Sequence, residues 1–313
     1  MDTIDLDEKT SSRLSRLRDN LIKDGKVIPG TTDTMFKIVM TSCKSYLTFL
    51  ISEFTNTNES VRNIIIQNNE LPLSNAKERK KISDFIAKVD KSLINFEMNS
   101  EYFDGLLIRN QAYLGKLEGE SLNASESFSN MQRFLQVNFN DFIHFKSDSP
   151  ILEFVYTDIV NGEIETENLK KYHISLPKLE KKYYNGDKLS KLEKALLILK
   201  LDKVKDLEEI SKGDEDLMEA VERIKDATFD INTIGLYDAE LDRKWREEAK
   251  MAYAKRLGIE EGQEQGREEG REEGRKEGQF SIISTMLKNG ITPKKVIEMT
   301  GISLEKIKKM GLL

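Results

Sequence analysis

Residues 77–99 read KERKKISDFIAKVDKSLINFEMN, and this stretch decides the fold. Two runs within it, 82–89 (ISDFIAKV) and 92–98 (SLINFEM), alternate apolar and polar side chains with the period of two of a β-strand. Asp90 and Lys91 stand between them. An antiparallel hairpin turning at that pair sets Phe85 against Phe96, Ala87 against Ile94 and Val89 against Ser92, which makes one apolar face. On the other face Asp84 lies opposite Glu97, and Asn99 points the same way as Glu97 because strand side chains alternate. Asp-Lys is a weaker turn signal than Asn-Gly, but a four-residue loop centred at the same place keeps the register.

Two carboxylates opposed across strands have Cβ atoms about 5 Å apart and repel. A protein keeps such a pair by exposing it to water, by protonating one member, or by placing a cation between them. Oxygen donors suit a hard divalent ion. Such an ion lowers the pKa of a bound water and neutralises charge building on a phosphate.

Upstream, residues 6–24 read as an amphipathic helix that ends at Gly25 and the Pro29-Gly30 pair. Thr32 is an N-cap for a helix starting TDTMFKIVM, and SYLTFLISEF gives a second helix. VRNIII (61–66) has strand chemistry. Downstream, 101–118 reads as helix and 136–142 (QVNFNDF) as strand, while 151–158 and 169–176 form a hairpin around Asn161-Gly162. After Pro177 the pattern turns helical and stays so to residue 256, with Trp245 packing on a helix face. The order predicts an α/β fold: a mixed sheet flanked by helices, then a helical C-terminal half with a long charged helix.

Glycine recurs every fourth residue from Gly258 to Gly278, with Glu, Gln, Arg and Lys between. On a helix these glycines form one slowly drifting stripe. Either the stripe lets a second backbone approach, giving a homodimer through this C-terminal helix, or the segment is a solvated helical spacer. Residues 280–313 recover an apolar period, with Thr292 and Ser303 as N-caps, Pro293 at a first helical position and Gly290 and Gly301 as stops. Three short helices fit a helix-turn-helix reading DNA or a small helical cap.

With 49 basic and 55 acidic side chains the net charge is −6, so contact with phosphate needs a local basic patch. Lys77, Arg79, Lys80 and Lys81, just before Asp84, are one such run, or an ordinary solvated loop. The single cysteine, Cys43, excludes an internal disulfide and a thiolate zinc site, and fits a reducing cytoplasmic setting. The opening MDTIDLDEKT has no apolar stretch, so no signal peptide is expected, nor is any run long enough to span a membrane. Lysine and asparagine richness fits a bacterial, AT-rich genome.

An Asp on one strand and Glu-x-(Lys/Gln/Asn) on the next is the PD-(D/E)XK arrangement. The chain resembles the recombination-promoting nuclease, or transposase, branch of that superfamily. TTDTMFKIVM (31–40), ISDFIAKV (82–89), LINFEMN (93–99), RNQAYLGKL (109–117), QVNFNDF (136–142) and the glycine-repeat tail with KNGITPKKVIEMTGISLEKI carry the resemblance. It implies a restriction-endonuclease-like core and DNA cutting with Mg²⁺ or Mn²⁺, associated with recombination or transposition. By position, Asp84, Glu97 and Asn99 would be catalytic, and Asp84, Glu97 and the Met98 carbonyl would hold the metal. Asn99 falls where the general pattern has lysine; asparagine hydrogen-bonds water but supplies no charge. A catalytically inactive descendant that binds DNA or self-associates is therefore the alternative. Asp33 is an additional candidate acid, or a helix-start charge favoured by the dipole. Arg109 shares a helix face with Tyr113 and would contact phosphate, or stand as a surface arginine. The expected organisation is a helical extension (1–30), a nuclease-like core (31–177), a helical region (178–257), the glycine-repeat helix (258–279) and a small helical tail (280–313).

Overall fold

The computed structural model describes residues 8–56, 64–67, 70–71, 81–82, 84–89, 92–120 and 132–312. The chain divides into two compact units, residues 1–241 and 242–313.

In the first unit, α1 (Glu8–Lys23), α2 (Asp33–Ser42) and α3 (Lys44–Thr55) precede the strands. The Thr32 hydroxyl accepts the Met35 N–H and caps α2, as its sequence predicts. Between α1 and α2 the chain passes hard against Leu199: a Cβ at Gly30 would stand 2.9 Å from the Leu199 Cα, so only glycine fits.

The strands are β1 (Ile64–Gln67), β2 (Glu70–Leu71), β3 (Lys81–Ile82), β4 (Phe85–Val89), β5 (Ser92–Asn99), β6 (Arg133–Asn140), β7 (Ile151–Thr157) and β8 (Ile164–Ser175). Six form one sheet in the order β1-β4-β5-β6-β8-β7, and β2 pairs with β3 apart from it. β1, β4 and β5 are antiparallel, β5, β6 and β8 parallel, and β7 returns antiparallel on β8. The β4–β5 register is the expected one from Phe85 onward: Phe85 faces Phe96, Ala87 faces Ile94 and Val89 faces Ser92. The expected strand 82–89 is shorter, however: Ile82 pairs with Glu70 in the separate β2–β3 ladder, and Asp84 lies before β4, its side chain rather than its backbone engaging β5. The turn residues Asp90 and Lys91 lie outside the described residues.

A parallel step from β5 to β6 needs a crossover, and α4 (Leu106–Glu120) lies within that connection. The helix begins five residues later than its apolar pattern suggests. Asp104-Gly105 forms a turn with Gly105 at φ +94°, a conformation no helix interior adopts. β8 likewise starts five residues earlier than expected, because its first half (IETEN) is charged and exposed and shows no apolar alternation.

The remaining helices of this unit are α5 (Leu176–Tyr184), α6 (Lys191–Ile198), α7 (Val204–Ser211), α8 (Glu215–Phe229) and the start of α9 (Ile231–Lys288). One face of the sheet, carrying Phe85, Ala87, Ile94, Phe96, Val137, Phe139 and Ile174, shares a single core with α2, α3, α6 and α8. Phe96 is fully buried, with the rings of Phe54, Phe85 and Phe139 centred 6.5, 5.9 and 6.1 Å away. Burial of one such ring stabilises by roughly 2–3 kcal/mol. On the opposite face Leu114 and Leu117 of α4 pack on Ile86, Leu93 and Phe134.

The second unit contains the rest of α9, α10 (Pro293–Thr300) and α11 (Leu304–Lys309). Ile283, Val296 and Ile307, one from each helix, form its small core. Gly290 and Gly301 take the left-handed conformation at the two turns, and the Ser303 hydroxyl caps α11. The glycines from Gly258 to Gly278 all lie within α9, with open space beside each. Trp245, expected to pack, is 59% exposed on its charged helical run. Among the described residues, no helix is long and apolar enough to cross a membrane.

Candidate metal-dependent active site

Polar residues alternate with the core residues along the three parallel strands, so they all emerge on the α4 side of the sheet. In register they form three rows: Asn95, Gln136 and Lys171; Glu97, Asn138 and His173; Asn99, Asn140 and Ser175. Most buried polar groups in native folds are hydrogen-bonded, and these rows make many of theirs internally. Asn95 Nδ2 donates to Glu97 Oε1 at 3.0 Å, and Asn99 Nδ2 donates to Asn140 Oδ1 at 3.1 Å. Asn138 Oδ1 accepts Asn110 Nδ2 of α4 at 2.8 Å, while Asn138 Nδ2 donates to the Tyr172 carbonyl at 3.0 Å.

Glu97 is almost wholly buried, at 1% exposure. A buried carboxylate costs several kcal/mol unless charge or hydrogen bonds compensate it. Arg109 supplies charge: its Nη2 lies 3.9 Å from Glu97 Oε2 and donates to Asn99 Oδ1 at 2.9 Å. Its Nε donates to Asn110 Oδ1 at 3.1 Å. The guanidinium also lies over the rings of Phe103 and Tyr113, 5.3 and 5.6 Å from their centroids. Arg109 is thus fixed at the rim of the polar face, partly open to solvent.

Asp84 stands just before β4, where its Oδ2 accepts the Met98 N–H at 2.7 Å. Burial, the chief cause, pushes its pKa up to about 6; the Asp33 carboxylate raises it further, while the Met98 N–H, Lys37 and Arg109 pull it down. Asp84 and Glu97 therefore feel the same guanidinium. Asp33 begins α2, is paired with Lys37 at 2.9 Å, and its N–H donates to Glu240 Oε1 at 3.0 Å. Among the described residues, no group of three or more His, Cys, Asp or Glu is placed to share a metal ion, so the candidate donors are two carboxylates and the Met98 carbonyl.

Of the basic run, Lys77, Arg79 and Lys80 lie outside the described residues, and Lys81 opens β3. Sequence reasoning missed the amide rows. Their signal was present in FLQVNFN (134–140), where Gln136, Asn138 and Asn140 recur at every second position between apolar residues.

A family model described as PD-(D/E)XK nuclease family transposase matches residues 31–254, most of the chain. No curated protein and no solved structure matches it. A mixed sheet with Asp84 at the start of one strand, Glu-x-Asn on its neighbour and helices on both faces agrees with that match, and the chain belongs to the PD-(D/E)XK nuclease family of transposases.

Proposed function

We infer that this chain is a DNA endonuclease that hydrolyses phosphodiester bonds with Mg²⁺ or Mn²⁺. The observation that carries the reading is that Glu97 and Asn99 meet one guanidinium at the rim of a buried polar face, with Asp84 held beside them on the Met98 N–H. Nucleases of this family generally use divalent metal ions. The donor set fits a hard divalent cation: Asp84, Glu97 and the Met98 carbonyl offer only oxygen. Such an ion, when bound, activates a water and stabilises charge on the phosphate.

The protein's own groups divide the remaining work. The Met98 N–H fixes the Asp84 carboxylate, and Asn95 fixes Glu97, so both acids are oriented in advance. Asn99 replaces the lysine of the general pattern and brings no charge. Arg109, on α4, stands in its place: it donates to Asn99 and directs a cation toward the phosphate position. Asn99 in turn can hydrogen-bond the attacking water. Lys77, Arg79, Lys80 and Lys81 attract the DNA backbone from the segment before β4.

Calorimetric titration with Mn²⁺, beside a plasmid-nicking assay, tests this reading. Wild type should bind and nick, and Asp84→Ala and Glu97→Ala should do neither. Binding to DNA or self-association that survives both substitutions without any metal-dependent cutting would favour the inactive descendant, which Asn99 also motivates.

A further inference from the structure

Beside the acids, on the same face of the sheet, lies a cavity of about 360 Å³ between α4, β6, β7 and β8. Gln136, Lys171 and His173 form its polar side, with Asn110 of α4, while Phe145 and Phe154 wall it with rings. Gln136 is fully buried. Its Nε2 donates to the Asn110 carbonyl at 2.8 Å, but its Oε1 has no hydrogen-bond partner among the described residues. His173 Nδ1, also buried, has none either. Leaving a buried polar atom without a partner is costly, and a fold that retains two beside one cavity has a reason to.

The rings are ordered as well. Phe145 and Phe154 are 5.2 Å apart, and His173 sits 5.0 and 5.4 Å from them. Planar walls with amide and imidazole groups at the base are the chemistry that recognises a nucleobase: ring stacking, with hydrogen bonds to its edge. Burial, together with Lys171 and His144, lowers the His173 pKa to about 4, so the imidazole is neutral and offers one acceptor and one donor. Lys171, in register with Gln136, adds a donor.

Position decides whose base it is. Glu97, Asn138 and His173 are in register on adjacent strands, which puts the cavity's histidine about 10 Å from the acid, two strand spacings. That is of the order of one nucleotide extended from phosphate to base. We propose that the cavity receives a single unpaired, amino-bearing base of the DNA strand whose phosphate lies at Asp84 and Glu97, with Gln136 Oε1 accepting from its exocyclic amine. The proposal rests on the hydrolase reading and adds to it a preference for unpaired or distorted DNA.

The test uses the full chain with Ca²⁺ and two fluorescent duplexes, identical except that one carries a bulged adenine and the other a bulged abasic residue. Wild type should bind the adenine duplex roughly tenfold more tightly, the order that stacking of one base contributes. Phe154→Ala, at a partly exposed wall position, and Gln136→Leu should both remove the difference while the Mn²⁺ titration is unchanged. Equal affinity for the two duplexes, with Mn²⁺ binding and nicking intact, overturns the base cavity and leaves the hydrolase. A preserved preference with no metal binding upholds the cavity and removes the hydrolase. No binding of either duplex overturns both.

Discussion

The Asp84 carboxylate accepts the main-chain N–H of Met98, the residue that follows Glu97. An acid side chain here takes the role a strand carbonyl would have, one residue before β4 begins. The bond ties two acids from neighbouring strands to one local geometry, independent of the turn that joins them.

Burial pushes the Asp84 pKa up to about 6 in the folded protein, from an ordinary value of 3.8. In metal-free protein the folded state holds this proton more tightly than the unfolded chain does. The resulting stability is complete below the ordinary value and is lost as pH rises through about 6. Asp84→Asn, which keeps the acceptor for Met98, should therefore stabilise the metal-free protein above neutral pH by about 3 kcal/mol, read as a raised Tm in chelator. The same substitution should remove the Tm increase that Mn²⁺ gives wild type. Mn²⁺ affinity of wild type should fall as pH drops through about 6, because the ion competes with the proton; a flat profile from pH 5 to 8 by calorimetry, roughly the window set by that shift, would contradict the assignment.

Glu97→Gln preserves shape and the Asn95 hydrogen bond acceptor but removes a charge. It should lower nicking by at least about 10²-fold, the scale of losing an electrostatic contact to the reacting centre, with little change in Tm. Full activity in this variant would remove Glu97 from the site.

Arg109→Lys tests the replacement of the missing lysine. A lysine keeps the charge but not the forked contact with Asn99 and Asn110. The rate should fall by roughly tenfold for Arg109→Lys and about 10²–10³-fold for Arg109→Ala in single-turnover nicking. The pair Asn99→Lys with Arg109→Ala should recover part of the loss, since the cation returns to the strand position.

Phe96→Ala should destabilise the first unit by about 3–5 kcal/mol in denaturant unfolding, because its ring is fully buried among three others. The second unit has its own core of Ile283, Val296 and Ile307, and proteolysis of residues 280–313 should not accelerate in that variant.

Alanine at Gly262, Gly266 and Gly270 should raise helicity by circular dichroism, each contributing about 1 kcal/mol to a solvated helix. The mass by sedimentation equilibrium should stay the same. A fall in mass would instead identify the stripe as the edge of a homodimer.

The sequence carried the β4–β5 pairing from Phe85 to Val89, because one buried face makes the register unambiguous, but not the strand's start: Asp84 lies before β4 and takes the Met98 N–H instead of a place in the register opposite Glu97. Helix caps at Thr32 and Ser303 were readable from hydroxyl chemistry alone. The late start of α4 was hidden because the residues before it are apolar enough to continue the pattern, and only the conformation of Gly105 stops it. The charged first half of β8 gave no alternation to read. At the site, Arg109 was visible as a candidate, but its hydrogen bond to Asn99 depends on how α4 crosses the sheet, which no local spacing encodes. The cavity was illegible for the same reason. Gln136, Phe154 and His173 come from three strands, and each alone looks like an ordinary core or surface residue.

From Asn95 and Gln136 onward the three parallel strands place amides, Glu97 and His173 on one side and Phe96, Val137, Phe139 and Ile174 on the other, alternating at every step. Deleting a single residue inside β6 would exchange the two sets from the deletion onward. Phe139 and Val137 would then meet the Glu97 carboxylate, and three amides would be driven into oil. One-residue slips in this strand are thus self-rejecting: the arrangement that serves chemistry also proofreads the alignment of the sheet.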